Sequence, residues 1–131
     1  MKEPIWILIR AAVRMHDESL VEHGGLAGIR DLGGLEAALV RPQNLFAYAK
    51  RKLALFDLAA AYAYGIARSH PFVDGNKRAA AIVSMAFLDR NGVRIAAPQA
   101  EIYLGFSRLA AGKMTERELA EWFERYAEPR H

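Results

Sequence analysis

Two long apolar runs, parted by a stretch that neither can cross as helix, constrain this chain more than any other feature. The first, Lys52 to Ser69, is rich in Ala, Leu and Tyr and apolar most of the way round. The second, Asn76 to Arg90, carries Ile82, Val83, Met85, Ala86, Phe87 and Leu88. Both read as buried helices of a bundle. Between them runs His70-Pro71-Phe72-Val73-Asp74-Gly75-Asn76-Lys77-Arg78. Pro71 blocks the preceding helical turn and pushes His70 toward extended geometry. Gly75 permits backbone angles that a Cβ forbids. The second helix therefore starts near Asn76, its free N–H groups and positive dipole end facing the loop.

Such a helix start accepts anions, and here a histidine, a carboxylate, an amide, a lysine and an arginine crowd it. Taken singly, each has a plain role. His70 is a helix-end ring, Asp74 an N-terminal cap for the helix at Asn76, Lys77 and Arg78 solvated cations, and Phe72 a core anchor. A helix start that merely ended a loop has no need of two cations beside its amide donors. With a group that titrates near neutrality, the combination points to phosphate chemistry.

The stretch resembles the signature of the Fic/Doc superfamily, His-x-Phe-x-Asp/Glu-Gly-Asn-Gly-Arg in the Fic branch and His-x-Phe-x-Asp-Ala-Asn-Lys-Arg in the Doc (death on curing) branch. His70, Phe72, Asp74, Asn76 and Arg78 match both. Lys77 matches Doc, whereas Pro71 and Gly75 lean toward Fic. The second arginine usual in Fic proteins falls on Ala81 and is missing. The resemblance extends over Met15-His16-Asp17-Glu18, Glu22-His23-Gly24-Gly25, Gly28-Ile29-Arg30-Asp31, Leu35-Glu36-Ala37-Ala38-Leu39 and Asn91-Gly92-Val93, which look like small Doc-type toxins.

The resemblance implies a compact, mainly α helical bundle with at most one minor strand pair or flap, in one Fic/Doc domain over residues 1–131. It implies transfer of the γ-phosphate of ATP to a Thr or Ser hydroxyl of a target protein, elongation factor Tu, arresting translation. A cognate antitoxin would fill a groove with its C-terminal segment. His70 would be the general base. Asp74 would hold Mg²⁺. Gly75, Asn76, Lys77 and Arg78 would cradle phosphate, with Lys77 and Arg78 neutralising transition-state charge. Gly28 to Asp31 would form a flap positioning the target segment. Adenylylation, the AMP transfer typical of Fic proteins with glycine at the place of Lys77, is the alternative on the same site. A binding module that only grips a partner is another, and a nuclease, lacking a second histidine or carboxylate cluster, a third.

Composition sets outer bounds. In 131 residues, 53% hydrophobic and 25% charged, one globular core is expected. There is no cysteine, which excludes disulfides and thiolate metal sites and suits a reducing cytoplasm. The net charge of +3 is spread over both halves, without a basic tail, so direct nucleic-acid binding is not expected. Pro4 to Ile9 is too short to span a bilayer, and no membrane role is expected.

Elsewhere, Leu8 to His23 reads as a helix ended by Gly24-Gly25. Its His16 and His23 are two turns apart, too far to share one metal, and read as structural. Leu26 to Gly34 reads as a loop or small hairpin, and Leu35 to Val40 as a short helix stopped by Arg41-Pro42. Val93 to Ile95 reads as a short strand paired with Ile5-Trp6-Ile7. Pro98 opens a helix to Ala111. Thr115-Glu116-Arg117-Glu118 is a capping box before a helix whose stripe is Leu119, Trp122, Phe123 and Tyr126. Gly65 suits a close helix crossing. Arg68, one turn before the loop, reads as a surface ion-pair partner, with contact to a phosphate or an acidic target as the alternative.

Overall fold

The first apolar run becomes the axis of the protein. The computed structural model describes residues 1–129, arranged as α1 (Ile9–His23), α2 (Leu32–Tyr48), α3 (Leu55–Ser69), α4 (Asn76–Arg90), β1 (Val93–Ile95), α5 (Gln99–Ala110), α6 (Glu116–Tyr126) and β2 (Ala127–Pro129). The mainly α bundle is as expected. In α3, Leu58 through Ala63, Ile66 and Ala67 are all buried. Five of those eight are alanines, so α2, α4, α5 and α6 can all pack onto the helix. Gly65 marks a close approach of α3 to α2, where a Cβ would stand 3.1 Å from the Cα and Cβ of Ala38. Tyr62, fully buried, accepts the Ile7 N–H at its hydroxyl, 3.0 Å. Burial pushes that hydroxyl up to about 12, so it stays protonated near neutral pH.

The N-terminal segment corrects one expectation. Ile5-Trp6-Ile7 forms no strand, and β1 pairs antiparallel with β2 instead, Val93 opposite Pro129 and Ile95 opposite Ala127. The side chain of Asn91 takes the place of a partner strand for Ile5. Its Oδ1 accepts the Ile5 N–H (2.8 Å) and its Nδ2 donates to the Ile5 carbonyl (3.0 Å). With those backbone groups satisfied, Trp6 is free to stack on Phe87, ring centroids 5.8 Å apart.

Arg41-Pro42 does not stop a helix. The α2 helix runs on to Tyr48 with Pro42 buried inside it. An interior proline costs about 3 kcal/mol through its missing N–H and its clash with the turn before. Here Leu35, Ala38 and Leu39 are buried before it, and Leu45 and Phe46 pack on the core after it. That burial, at about 1.5–3 kcal/mol per large apolar side chain, outweighs the defect. The helix also starts at Leu32, inside the stretch read as loop. Asp31 caps it by accepting the Gly34 N–H at 2.9 Å. At the start of α3, Lys52 to Ala54 stay outside the helix, and Asp57 accepts the Ala54 N–H at 2.9 Å.

Among the described residues, no helix is long and apolar enough to cross a membrane.

Candidate active site at the start of α4

The loop between α3 and α4 is anchored from below. Phe72 is 1% exposed and stacks flat on the His16 ring of α1, centroids 3.8 Å apart and planes 8° from parallel. Asn76 then clasps Phe72 from both sides. Its Oδ1 accepts the Phe72 N–H and its Nδ2 donates to the Phe72 carbonyl, both at 2.9 Å. The Asn76 amide, expected to cradle phosphate, has both ends occupied by the loop itself.

His70 departs from the extended geometry expected before proline. It is left-handed, at φ 46° and ψ 57°, and is the only non-glycine with positive φ among the described residues. The cause is its place as the C-cap of α3, where its N–H still reaches the Ile66 carbonyl at 3.1 Å. Such a backbone costs about 1–2 kcal/mol outside glycine. Arg30 helps hold it, donating from Nε to the His70 carbonyl (2.8 Å) and from Nη2 to that of Ser69 (2.7 Å). The imidazole itself is exposed.

Asp74 is not the helix cap. That place falls to Gly75, at φ 75° and ψ 25°, which offers no side chain to the helix. Asp74 instead turns its carboxylate across the mouth, Oδ1 accepting the Gly75 N–H (2.9 Å) and Oδ2 that of Leu26 (3.2 Å). Lys77 and Arg78 occupy the first turn of α4, which carries no acid. Arg78 is half-buried, while Lys77 is exposed and sets its ammonium 5.7 Å from the centre of the Tyr103 ring on α5. Among the described residues, no protein acceptor meets the N–H groups of Asn76, Lys77 and Arg78. An exposed imidazole, an exposed carboxylate, free helical donors and two cations thus share one loop and one turn.

The Leu26 to Asp31 segment lies against this loop as a flap. Ile29 and Phe72 form an isolated antiparallel bridge, Val73 N–H donates to the Gly28 carbonyl, and Arg30 and Asp31 N–H both donate to that of Pro71. Leu26, Ile29 and Val73 leave apolar surface exposed beside it. Arg30 and His16 hold the site, yet reading by spacing assigned neither a part in it. For His16 the signal was present: Ala12, His16 and Ser19, at helical spacing, are the buried face of α1.

Arg68 makes no ion pair among the described residues. It leans on Tyr64, 5.4 Å from the ring centre, and lines a hollow of about 260 Å³ with Arg41, Thr115 and Glu116 that contains no loop residue. Nor do the described residues hold any cluster of three or more His, Asp or Glu side chains fit for a metal. A lone exposed carboxylate beside free amide donors suits a hard cation that brings phosphate oxygens and water as its other ligands.

A family model described as Fic/DOC family matches residues 6–88, which take in α1 through nearly all of α4 with the loop between. The chain belongs to the Fic/DOC family. Within it, the chain is 40% identical over 83 residues to a protein named Protein kinase doc from Escherichia phage P1, covering 63% of this chain and 65% of that one. It is 43% identical over 77 residues to Toxin Doc of Mycolicibacterium smegmatis, covering 59% of each. Both matches span less than two thirds of the relative's own length. The Fic/DOC match ends at residue 88, so β1, α5, α6 and β2 lie beyond it.

Proposed function

We propose that this chain is a Doc-type toxin kinase that moves the γ-phosphate of ATP to a Thr or Ser hydroxyl of a target protein. Elongation factor Tu is the candidate target, and arrest of translation the outcome. The observation that carries this reading is the open start of α4. It has no side-chain cap, and its first turn holds no acid but Lys77 and Arg78, in a loop-and-turn that also carries the exposed His70. Anionic oxygens are what such an arrangement attracts.

His70 takes the proton of the incoming hydroxyl as its oxygen bonds to the γ-phosphorus. The bond from that phosphorus to the bridging oxygen breaks, and ADP leaves. The Asn76, Lys77 and Arg78 N–H groups receive phosphate oxygens, while the two cations offset the charge that spreads over the transferring group. Asp74 would hold Mg²⁺, which supplies further charge neutralisation on the phosphates. The flap, paired to the loop at Ile29 and Phe72, offers its exposed apolar side chains to an extended target segment.

Phosphate rather than AMP transfer is favoured by two residues. Lys77 stands where Fic-type AMP transferases keep glycine, and Ala81 where they keep a second arginine. The relative named Protein kinase doc supports the same choice. The relative named Toxin Doc supports a toxin role, and with it a cognate antitoxin. The test is to incubate the protein with elongation factor Tu and ATP labelled at either the α- or the γ-position. Label on the target from γ alone is expected. Retention of the α-label would establish adenylylation instead, and no label from either would refute transfer to this target.

A further inference from the structure

The peptide joining Asp74 to Gly75 is gripped at its carbonyl by a residue 58 positions earlier in the chain. His16, 1% exposed, places Nε2 2.7 Å from the Asp74 oxygen. A carbonyl can only accept, so Nε2 carries the proton and donates. No peptide among the described residues is cis, and in a planar trans peptide C=O and N–H point in opposite directions. Drawing the Asp74 carbonyl inward onto His16 therefore turns the Gly75 N–H outward. There it meets Oδ1 of Asp74 at 2.9 Å.

We propose that His16 is a positioning residue, whose hydrogen bond to the Asp74 carbonyl aims the Gly75 N–H and through it the Asp74 carboxylate at the mouth of α4. The donated bond polarises the peptide, which strengthens its N–H as a donor to the carboxylate. Flat stacking on Phe72 fixes the ring's plane. Gly75 closes over the ring, since a Cβ there would stand 3.5 Å from Nε2. The other ring nitrogen, Nδ1, faces Asp17 at 4.0 Å, beyond hydrogen-bond reach. The imidazole combines a flat stacking face with a donor at that edge, whereas phenylalanine stacks without donating and glutamine donates without stacking as a ring.

The geometric claim stands alone, while its consequence for phosphate transfer rests on the kinase reading above. Long-range proton–nitrogen NMR on the unaltered protein tests the first. A proton on Nε2 of His16 is expected, and a bare Nε2 with the proton on Nδ1 overturns the inference. His16→Phe and His16→Gln extend the test. In His16→Phe, exchange of the Gly75 amide should quicken by about tenfold while the amides of α6 keep their rates. In His16→Gln it should stay near the unaltered rate. With ATP and elongation factor Tu, kcat should fall about 10- to 100-fold in His16→Phe and recover most of that in His16→Gln. An unchanged Gly75 amide in His16→Phe, or equal losses in both variants that merely follow a lowered Tm, would leave His16 a packing residue. If the unaltered protein transfers no phosphate to elongation factor Tu, transfer to that target fails, and the proton position with the Gly75 exchange still decides the part played by His16.

Discussion

The starts of α4 and α6 face the same physical problem and answer it in opposite ways. At α6, Thr115 accepts the Glu118 N–H on its hydroxyl (3.0 Å), and Glu118 accepts the Thr115 N–H on its carboxylate (2.9 Å). Glu116 adds a second acid to that turn, so the positive end of the helix is met within the helix itself. At α4 the cap is a left-handed glycine, the first turn holds two cations, and no side chain meets its free donors. The second arrangement costs stability that the first gains. A helix that leaves its donors free and adds positive charge to them is arranged for an anion from outside.

The largest effect that would break this comparison is kinetic. Replacing His70 by alanine should lower phosphate transfer by about 10²–10⁴-fold, read from γ-labelled ATP, with little change in Tm because the ring is exposed. A variant of full activity would reduce the α4 mouth to a grip without a base. Next comes charge. Arg78→Glu puts at α4 the acid that Glu118 provides at the corresponding place in α6. Transfer should fall about 10²–10³-fold, yet urea denaturation should show the protein more stable by about 0.3–1 kcal/mol. At α6, removing the cap with Thr115→Ala should cost about 1 kcal/mol in the same measurement and leave transfer unchanged.

The smallest effect is one of pH. Glu118 is held below the ordinary carboxylate range by the Thr115 N–H first and the Thr115 hydroxyl second. A lowered folded value means that the contribution is complete above the unfolded value near 4.5. It is lost as pH falls through the lower folded one. Acid titration followed by NMR should therefore disturb the amides of Thr115 and Glu118. The first turn of α4 carries no acid, so no such reciprocal bond within the turn exists there to be lost.

What could be read from the residues alone follows the range of the forces involved. The α3 and α4 helices, the break between them and the α6 capping box are local patterns, and each is found as expected. Pro42 misled because its cost is local while the packing of Leu35, Ala38 and Leu39 that overrides it is not. The partner of β1 was misjudged for a similar reason: a side chain, Asn91, took up the hydrogen bonds that would have made Ile5 an edge. At the site, the residue types could be listed in order, but their jobs could not. Asn76 turned out to hold Phe72, Asp74 to cross the mouth rather than cap it, and Arg30 and His16 to reach in from the flap and from α1, far away in sequence. The contacts of Arg30 and His16 are long-range, set by where the flap and α1 come to rest.

Because Asn76 grips Phe72 by both its N–H and its carbonyl, the turn from 72 to 76 is a ring closed on itself by its own hydrogen bonds. The side chains on that ring can therefore be exchanged without redrawing its outline. A protein built this way can change what it presents at the mouth by altering Val73 or Asp74 while its knot stays tied.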